Sequence, residues 1–344
     1  MPAAEVLTRL HEFDTIIDTR TEAEYAEDHL PAAVNWPTLN NEERITIGTL
    51  YKQVNQFEAK KRGAAMAARN IAAHIDREVI AKPKDWKPLA YCWRGGKRSG
   101  SLSLILDQIG FRVTLVEGGY KAFRAAVVAD IPRLVAPLDL RVVCGTTGSG
   151  KTRLLQALAG LGAQVLDLEG LARHRSSVLG AIPGVPQPTQ KRFDTLIWEA
   201  LRQFDPARPV YVESESKKVG NVAIPVALVE HMRASPCLNL TLPIVERVSL
   251  LLEDYVYFVN NPQHFCERLD VLTEFRGKVV VEGWKAKVLA GNLAPVVQEL
   301  LTLHYDPVYV QSMQRNFRQF DQATTITADD HTMQAMVRLA QTLV

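Results

Sequence analysis

The chain has few cysteines, and their spacing builds neither a common metal site nor a disulfide framework. Its 344 residues include four cysteines, and none of them forms a Cys-x-x-Cys pair. This spacing excludes the usual zinc and disulfide-rich classes. It favours a reducing compartment, where a single thiol stays free to react, so we expect a cytoplasmic protein. The four are Cys92, Cys144, Cys237 and Cys266.

A strong net charge, long apolar runs and a secretory leader are also lacking. The formal net charge is only +2, so a nucleic acid would have to be bound by a local patch of charge. No apolar run reaches the length needed to cross a bilayer. The start of the chain, MPAAEVLTRLHEFD, lacks the basic and apolar segments of a signal peptide. We therefore expect no membrane partner.

The chain does contain alternating strand and helix patterns, and this alternation is interrupted once and then begins again. Hydrophobic residues make up 47% of the chain, enough for two domains with sizeable cores. The alternation predicts parallel α/β sheets on both sides of a proline-containing stretch, residues 129–140, which we interpret as the linker. We expect one α/β domain over residues 1–132 and a second over residues 133–344, with a helical C-terminal part.

Residues 145–152, GTTGSGKT, match the phosphate-binding pattern G-x-x-x-x-G-K-[ST] at every fixed position. They follow an apolar strand and precede a helix, as this motif requires. Its glycines let backbone N–H groups surround phosphate oxygens, and the helix N-terminus adds partial positive charge. The segment therefore predicts a P-loop NTPase-like domain. Its ligating residues would be Gly145, Thr146, Thr147, Gly148, Ser149, Gly150, Lys151 on the terminal phosphate, and Thr152, which could hold Mg²⁺.

The acidic partner of this loop is less well defined. In many P-loop enzymes an aspartate at the end of a second strand completes the magnesium site. The candidates here are Asp167 in VLDLEG and Glu213 or Glu215 in VYVESES, and none matches the common pattern closely. The loop thus predicts phosphate binding. It leaves open whether the ligand is a nucleotide or another diphosphate.

A cysteine also stands at the start of a glycine-rich, cationic loop in the segment LAYCWRGGKRSGS, residues 89–101. Several N–H groups and a helix dipole should face the sulfur of Cys92 and favour its thiolate. The same loop could cradle an anion such as phosphate or selenophosphate. A cysteine after an apolar strand is more often a small core residue, but the loop composition favours chemistry here. The candidate anion-binding residues are Arg94, Gly95, Gly96, Lys97 and Arg98.

Three segments make the N-terminal part resemble a rhodanese domain: IIDTRTEAEYAEDHLPAAVNWP, YCWRGGKRS and VEGGYKAFR. In that family a cysteine at a strand end carries a sulfur-type atom as a persulfide. The matching residues are Asp18, Arg20, Glu24 and His29 in the first motif and Cys92 and Arg98 in the active loop.

Across its whole length the chain resembles the tRNA 2-selenouridine synthase family. The resemblance adds LDLEGLARHRSS, VYVESESKKVG and HYDPVY, with Ser176 where the family usually has glycine. It implies an enzyme that replaces sulfur by selenium in 2-thiouridine at the tRNA wobble position. Selenophosphate would supply the selenium, and geranyl diphosphate would form an S-geranyl intermediate. Mg²⁺ could assist, and no tightly bound organic cofactor is expected.

The resemblance also implies roles for residues and partners. The P-loop would bind the diphosphate, helped by Arg175 and by Lys217 or Lys218, and Cys92 would hold selenium or capture a leaving fragment. The partner would be the anticodon loop of a tRNA bearing 2-thiouridine, and selenophosphate synthetase could deliver the donor. The segment LLLEDYVYFV and Trp284 could line a geranyl pocket, although such aromatics are more often core. The candidates for stacking on a flipped base are Trp93, Tyr120 and Phe123.

Two other functions are compatible with the residues. One is a rhodanese-type sulfurtransferase fused to a P-loop kinase-like domain, which would use thiosulfate and cyanide instead of selenophosphate and thiolated tRNA. The other is a module that binds tRNA or senses phosphate without catalysis, with a degenerate rhodanese half. The presence of Cys92 argues against this second alternative.

Overall fold

The computed structural model describes residues 1–175, 177 and 179–344. Ser176, the serine noted in the His-Arg-Ser-Ser motif, lies outside the described residues. The chain divides into two compact units. The first unit comprises Met1–Ile131 and Pro188–Glu199, and the second comprises Pro132–Gln187 and Ala200–Val344.

The first unit is built on a four-stranded parallel sheet with the strand order β2-β1-β3-β4. Strand β3 is buried along its whole length, because it lies inside the sheet between β1 and β4. This position explains why its sequence, PLAY, has no polar side of its own. Cys92 follows β3 directly. The strands are β1 (Thr15–Asp18), β2 (Ala33–Asn35), β3 (Pro88–Tyr91) and β4 (Thr114–Leu115).

The helices of this part of the chain follow several sequence signals. A threonine with glutamate three residues later predicts a capping box, and Thr21 and Glu24 form it at the start of the second helix. Apolar residues at helical spacing predict helices between residues 40 and 82, which is confirmed by two helices and a π-helical turn at Ile75–Val79. The expected linker is partly wrong, because the sixth helix continues to Val135 through Pro132. The helices are α1 (Ala3–Arg9), α2 (Glu22–Glu27), α3 (Asn41–Gln53), α4 (Gln56–His74), α5 (Lys97–Ile109) and α6 (Gly119–Val135).

The second unit is built on a five-stranded parallel sheet with the order β11-β10-β5-β7-β6. Strand β5 is central and ends at Cys144, immediately before the phosphate-binding motif. A separate antiparallel pair joins β8 and β9. The strands are β5 (Leu140–Cys144), β6 (Gln164–Leu166), β7 (Val210–Glu213), β8 (Lys218–Val219), β9 (Val222–Ala223), β10 (Cys237–Thr241) and β11 (Thr324–Thr327).

The helical C-terminal part expected from periodicity is confirmed, with one correction. The periodicity of the segment VERVSLLLEDYVYFV predicts one long helix. The segment forms two, because the backbone leaves helical geometry at Tyr255 (φ −110°, ψ 38°). Among the described residues, no helix is long and apolar enough to span a membrane. The helices are α7 (Lys151–Gly160), α8 (Leu168–Ala172), α9 (Gln190–Leu201), α10 (Val226–Ala234), α11 (Ile244–Asp254), α12 (Val256–Asn260), α13 (Pro262–Leu269), α14 (Thr273–Arg276), α15 (Lys278–Leu289), α16 (Leu293–Leu300), α17 (Asp306–Asn316) and α18 (Met333–Ala340).

Most of α9 packs within the first unit, although the sequence expectation placed it in the second domain. Its residues up to Glu199 belong to the first unit. The hydroxyl of Thr195 donates a hydrogen bond to the buried Asp28 at 3.0 Å, and Asp194 forms an ion pair with Arg124. A segment far along the chain therefore completes the rhodanese-like unit.

The helical part of the second unit has a core of its own. Phe258, Phe265, Leu269 and Trp284 are buried in one cluster formed by α12, α13, α15 and α16. A separate cluster joins the sheet to α7 and α18. This helical core lies beside the phosphate-binding loop, because Thr147 of the loop lines one cavity together with Phe258 and Phe265 of the core.

Candidate active sites of the two units

Cys92 lies at the carboxyl end of β3, with its sulfur enclosed by the loop that follows. The residue is 3% exposed. Its Sγ accepts a hydrogen bond from the backbone N–H of Gly96 at 3.0 Å and another from the hydroxyl of Ser99 at 3.3 Å. Helix α5 begins at Lys97, so the sulfur faces the N-terminal end of that helix.

This environment lowers the pKa of the Cys92 thiol below its ordinary value. Burial alone would raise that pKa, but hydrogen bonds oppose it. They come from the hydroxyl and backbone of Ser99 and from the backbone of Gly96 and Arg94. The expected activation of the sulfur thus rests on hydrogen-bond donors that stabilise a thiolate.

The Gly-Gly turn after β4 packs closely against the backbone of the cysteine loop. Gly118 and Gly119 have positive φ angles of 71° and 58°. A Cβ on Gly119 would overlap the carbonyl oxygen of Cys92 and the backbone nitrogen of Gly95. The N–H of Tyr120 donates to that same carbonyl at 2.8 Å. The segment VEGGY therefore holds the loop by close backbone approach, which side chains at these positions would prevent.

Two residues of the first rhodanese motif form a buried ion pair under the loop. Arg20 and Asp18 are fully buried, with 2.6 Å between Nη2 and Oδ2. The phenol of Tyr91 donates to the same carboxylate at 2.8 Å, and the guanidinium lies 3.9 Å from the ring centre of Tyr120. These contacts join β1 to β3, at whose end Cys92 lies, and to Tyr120 on α6.

The cations of the cysteine loop differ in their surroundings. Arg98 forms a two-point ion pair with Glu24, at 2.6 Å and 3.2 Å. Arg94, Lys97 and both loop glycines are exposed at the surface. Arg98 therefore joins the helix start to α2, whereas Arg94 and Lys97 present their charges to solvent near the sulfur.

In the second unit, the phosphate-binding loop links β5 to α7. The Lys151 ammonium donates to the carbonyl oxygen of Gly145 at 2.7 Å, which places it across the loop. Arg247 on α11 donates to the carbonyl of Thr147 at 3.0 Å and 2.7 Å. The same guanidinium forms a two-point ion pair with Asp306, at 2.9 Å and 2.6 Å. The helical part thus holds the middle of the loop.

The start of the loop is held by Tyr309 on α17. Its phenol oxygen accepts a hydrogen bond from the N–H of Gly145 at 2.7 Å and lies 2.8 Å from the hydroxyl of Ser214. Burial raises the pKa of this phenol, so it stays neutral. The Lys151 ammonium lies 5.4 Å from its ring centre. The motif HYDPVY therefore supplies two supports of the phosphate loop, Asp306 and Tyr309.

The acidic candidates occupy three different environments. Asp167 caps α8 by accepting the N–H of Gly170 at 2.7 Å. Glu213, at the end of β7, is buried and accepts the N–H of Glu169 at 2.7 Å. Burial, together with the nearby carboxylates, raises the pKa of Glu213 well above its ordinary value. Glu215 lines the cleft beside the loop.

The expected magnesium ligand is a single hydroxyl. Thr152 donates to the carboxylate of Glu169 at 3.3 Å. Within the residues that the structure describes, no group of three or more His, Cys, Asp or Glu side chains could hold a metal ion. A magnesium ion here would depend on Thr152 together with the phosphate oxygens of a substrate, which is how Mg²⁺ often binds.

A polar cleft surrounds the phosphate loop. The space between its lining atoms is about 1390 Å³, part of it open to solvent. Arg175 lines it, with its guanidinium 2.9 Å from Asp254 and 5.0 Å from the ring centre of Tyr255. The cleft thus brings together six loop residues from Thr147 to Thr152 with Arg175 and Glu215. Lys217 is exposed and is absent from the described residues that line this cleft.

A second cavity adjoins this cleft, and its walls are apolar. The space between its lining atoms is about 520 Å³, part of it open to solvent. The residues that line both cavities are Thr147, Ser177, Leu251, Tyr255 and Tyr305. The residues that line the second cavity alone are Leu179, Leu252, Phe258, Val259, Phe265, Leu293, Val297, Leu300 and Leu301. All polar lining side chains of this pocket therefore lie on the side of the phosphate loop.

Comparisons with known proteins assign both units. The rhodanese-like domain model matches residues 2–126, and the model described as the tRNA 2-selenouridine synthase AAA domain matches residues 138–280. A tRNA 2-selenouridine synthase from Sulfurovum sp. is 31% identical over 331 residues, covering 88% of this chain and 89% of its own. The chain belongs to the tRNA 2-selenouridine synthase family.

Other relatives match a smaller part of their own length. The tRNA 2-selenouridine synthase of Nitrosomonas europaea is 37% identical over 255 residues, which is 73% of this chain and 66% of that protein. The chain thus spans slightly less than two thirds of that relative. Among solved structures, a rhodanese-related protein from Thermoplasma volcanium aligns at 17% identity over 36% of this chain and 87% of its own, with a TM-score of 0.24.

The family assignment confirms the expected fold class, a rhodanese-like unit followed by a P-loop unit with a helical C-terminal part. Several aromatic candidates nevertheless lie in the core. Tyr120 and Phe123 are buried at 1% and 0% exposure, so the expectation that a base could stack on them is wrong. Trp93 is half-buried. Trp284 is core and is absent from the described residues lining the apolar pocket.

Some residues of these sites escaped sequence reasoning in this member of the synthase family. Ser99 is the third residue of α5, and the loop between β3 and this helix brings its hydroxyl to the sulfur of Cys92, a contact that the loop composition did not indicate. Arg247 carries no motif, and the distance along the chain hides its contact with Thr147. Asp306 and Tyr309 belong to the motif HYDPVY, but the motif alone did not indicate that one pairs with Arg247 and the other contacts Gly145.

Proposed function

We propose that this protein is a tRNA 2-selenouridine synthase that works in two half-reactions, one at each site. In the first, geranyl diphosphate bound in the second unit alkylates the sulfur of 2-thiouridine in tRNA. In the second, selenophosphate bound at the cysteine loop of the first unit supplies selenium. The family assignment supports the overall reaction, and the shapes of the two sites support its division.

The observation that carries the geranyl step is the polarity gradient of the apolar pocket. Its polar side chains, Thr147, Ser177, Tyr255 and Tyr305, all lie where it meets the phosphate cleft, and leucine, valine and phenylalanine line the rest. A molecule with an anionic head and a hydrocarbon tail matches this arrangement. A nucleotide would place a polar base and sugar in the same apolar space, which is unfavourable.

The chemistry of the first half-reaction follows from this placement. The sulfur of 2-thiouridine attacks the first carbon of the geranyl chain, a carbon–sulfur bond forms, and the carbon–oxygen bond to diphosphate breaks. The diphosphate leaves with the electron pair of that bond, and the proton on N3 of the base passes to solvent, so the S-geranyl base is neutral. Lys151 and the N–H groups of the loop stabilise its developing charge, and Arg175 contributes a further positive charge in the cleft. Mg²⁺ held by Thr152 and the diphosphate would add to this neutralisation.

In the second half-reaction, selenium attacks C2 of the S-geranyl base and geranylthiol leaves, a better leaving group than sulfide. Water then releases phosphate from selenium. Selenium in selenophosphate already has the oxidation state it has in the product, so this substitution needs no oxidant. Selenium bound to Cys92 as a persulfide analogue would need one. We therefore assign Arg94 and Lys97 to binding the anionic donor beside the sulfur of Cys92.

The tRNA substrate would be recognised at both sites. We propose that Trp93, the half-buried aromatic next to Cys92, stacks on the modified base, as aromatic side chains do on single-stranded RNA. A cytoplasmic location and donor delivery by selenophosphate synthetase belong to the same proposal, since the donor is a labile small molecule made inside the cell.

Nucleoside mass spectrometry would test the proposal. The protein is incubated with tRNA containing 2-thiouridine, geranyl diphosphate and selenophosphate, and each small molecule is omitted in turn. We expect S-geranyl-2-thiouridine without selenophosphate and 2-selenouridine only with both donors. Thiosulfate with cyanide serves as the control for an ordinary sulfurtransferase. If thiosulfate is consumed and no selenouridine forms, the proposed function is wrong.

Two variants separate the half-reactions. Lys151→Ala should lose geranyl transfer and, as a consequence, selenation from 2-thiouridine. Cys92→Ala should still make the S-geranyl nucleoside but convert it poorly to 2-selenouridine. Unchanged geranyl transfer in Lys151→Ala would contradict the diphosphate assignment, and normal selenation in Cys92→Ala would contradict the role of the cysteine loop.

A further inference from the structure

The side chains that line the apolar pocket indicate how long a hydrocarbon chain it can hold. Three aromatic rings follow one another from its mouth. Tyr255 lines both the phosphate cleft and the pocket, whereas Phe258 and Phe265 line the pocket alone. The ring centres of Tyr255 and Phe258 are 5.8 Å apart, and those of Phe258 and Phe265 are 4.9 Å apart.

The planes of these rings are nearly parallel. The interplanar angles are 11° between Tyr255 and Phe258 and 18° between Phe258 and Phe265. The three rings therefore form a continuous stack, and Phe265 is its member farthest from Tyr255. A chain whose diphosphate lies on the P-loop would pass along this stack and reach Phe265 last.

Phe265 belongs both to the wall of the pocket and to the helical core. It is 4% exposed and belongs to the same buried cluster as Leu269, Leu272 and Trp284. None of these three is among the described residues that line the pocket. A smaller side chain at position 265 would extend the cavity toward apolar neighbours, so the added space would suit more hydrocarbon.

We propose that Phe265 closes the distal end of the pocket and limits the isoprenoid accepted to a geranyl chain. This inference rests on the proposed function, because it concerns the prenyl donor of that reaction. A ring in van der Waals contact with the end of the chain excludes one more isoprene unit by overlap, since packed interiors yield little. A shorter chain would leave part of the pocket empty and bind less well.

The test compares three donors that share a diphosphate and differ in chain length: dimethylallyl, geranyl and farnesyl diphosphate. Transfer of each of the three chains to 2-thiouridine in tRNA is measured as kcat/KM for wild-type protein and for Phe265→Leu, Phe265→Ala and Phe265→Trp. We expect both variants to raise the ratio of farnesyl to geranyl transfer by roughly tenfold or more, in the range that hydrophobic pockets reach. Phe265→Trp should shift preference toward dimethylallyl diphosphate.

Phe275→Leu is the matched control, because Phe275 is 62% exposed on α14 of the same unit and absent from the described pocket lining. It should leave all three ratios unchanged. Phe265→Leu keeps most of the side-chain volume, so it should fold even if the alanine variant does not. The increase in Tm that each diphosphate produces gives a readout independent of turnover, since a ligand stabilises only the fold that binds it.

The outcomes are distinguishable. A wild-type protein that transfers geranyl, with variants whose donor ratios and Tm shifts equal those of Phe275→Leu, would overturn the role of Phe265 and leave the proposed function standing. A wild-type protein that neither transfers nor is stabilised by any of the three donors would overturn the proposed function, and the inference with it.

Discussion

The phenol oxygen of Tyr309 lies 2.7 Å from the backbone nitrogen of Gly145, although 164 residues separate them. The residue at the start of the phosphate loop is thus bound to a helix from the C-terminal part of the unit. Because α17 lines the phosphate cleft and α11 lines both the cleft and the apolar pocket, the apolar pocket and the phosphate loop share their supporting helices. This coupling leads to the first two predictions.

Tyr309→Phe should destabilise the conformation of the phosphate loop, while the aromatic ring near Lys151 is kept. The ring stays, but Gly145 loses the acceptor of its N–H, and an unsatisfied buried donor costs about 1–3 kcal/mol. We expect a lower free energy of unfolding and weaker binding of geranyl diphosphate, measured by denaturant titration and by calorimetry. Tyr257→Phe is the control, because the buried Tyr257 hydroxyl has no hydrogen-bond partner among the described residues. Equal effects of the two substitutions would contradict the role of Tyr309.

Arg247→Lys should impair geranyl transfer although no charge is lost. The guanidinium holds the carbonyl of Thr147 and both oxygens of Asp306, and an ammonium cannot reproduce that geometry. Loss of charged hydrogen bonds costs about 1.5–3 kcal/mol, so we expect a marked fall in kcat/KM for geranyl diphosphate. Arg141→Lys changes a surface ion pair in the same unit, which contributes little. A geranyl kcat/KM within twofold of that control would refute the assignment.

Ser99→Ala should make Cys92 less reactive near neutral pH. Burial raises the pKa of this thiol, and the Ser99 hydroxyl is the strongest of the groups that lower it. Without that hydroxyl the thiolate forms only at higher pH. Alkylation by iodoacetamide, followed peptide by peptide across a pH series, should show the profile of Cys92 displaced upward in the variant. Cys266, whose pKa is raised by burial, is the internal reference, and its profile should not move. An unchanged Cys92 profile would contradict the hydrogen-bond origin of its low pKa.

Glu213→Gln should stabilise the protein increasingly as pH rises. Burial raises the pKa of Glu213 in the folded state, so the folded protein keeps a proton that the unfolded chain releases. Stability therefore falls as pH rises from the unfolded toward the folded pKa, and the penalty is complete above both. Glutamine resembles the protonated acid and has no acidic proton, so the variant avoids this loss of stability. The unfolding free energy of the variant minus that of the wild type should grow with pH in denaturant titrations. The exposed Glu230→Gln should give a flat difference, and a flat difference for Glu213→Gln would refute the prediction.

Particular residues show why sequence reasoning succeeded where it did. Thr21 and Glu24 form the expected capping box because a helix start depends on residues three positions apart. The phosphate-binding motif lies between β5 and α7 because its glycines and lysine act through the local backbone. The family assignment rests on such continuous segments, which is why the fold class was predicted before any contact was known.

Other features of the fold depend on distant partners that the sequence does not show. Arg98 is ion-paired with Glu24, which is 74 residues away, and its expected role in binding the donor anion stays a prediction. Tyr120 and Phe123 are buried by elements packed around them. The segment Pro188–Glu199 belongs to the first unit, although its own pattern shows only an amphipathic helix. Periodicity shows that a helix has an apolar face, but not which core receives it.

By itself, the sequence determined two local features of this protein: a thiol before a glycine-rich, cationic loop, and a glycine-rich loop with the phosphate-binding motif. Both depend on backbone conformations that short segments specify. Only the tertiary structure decided what these loops could serve. It placed Tyr309 and Arg247 against the phosphate loop. It also placed Tyr255, Phe258 and Phe265 in the wall of the apolar pocket. A pocket is the space left between packed elements, and no single segment of a chain encodes the shape of that space.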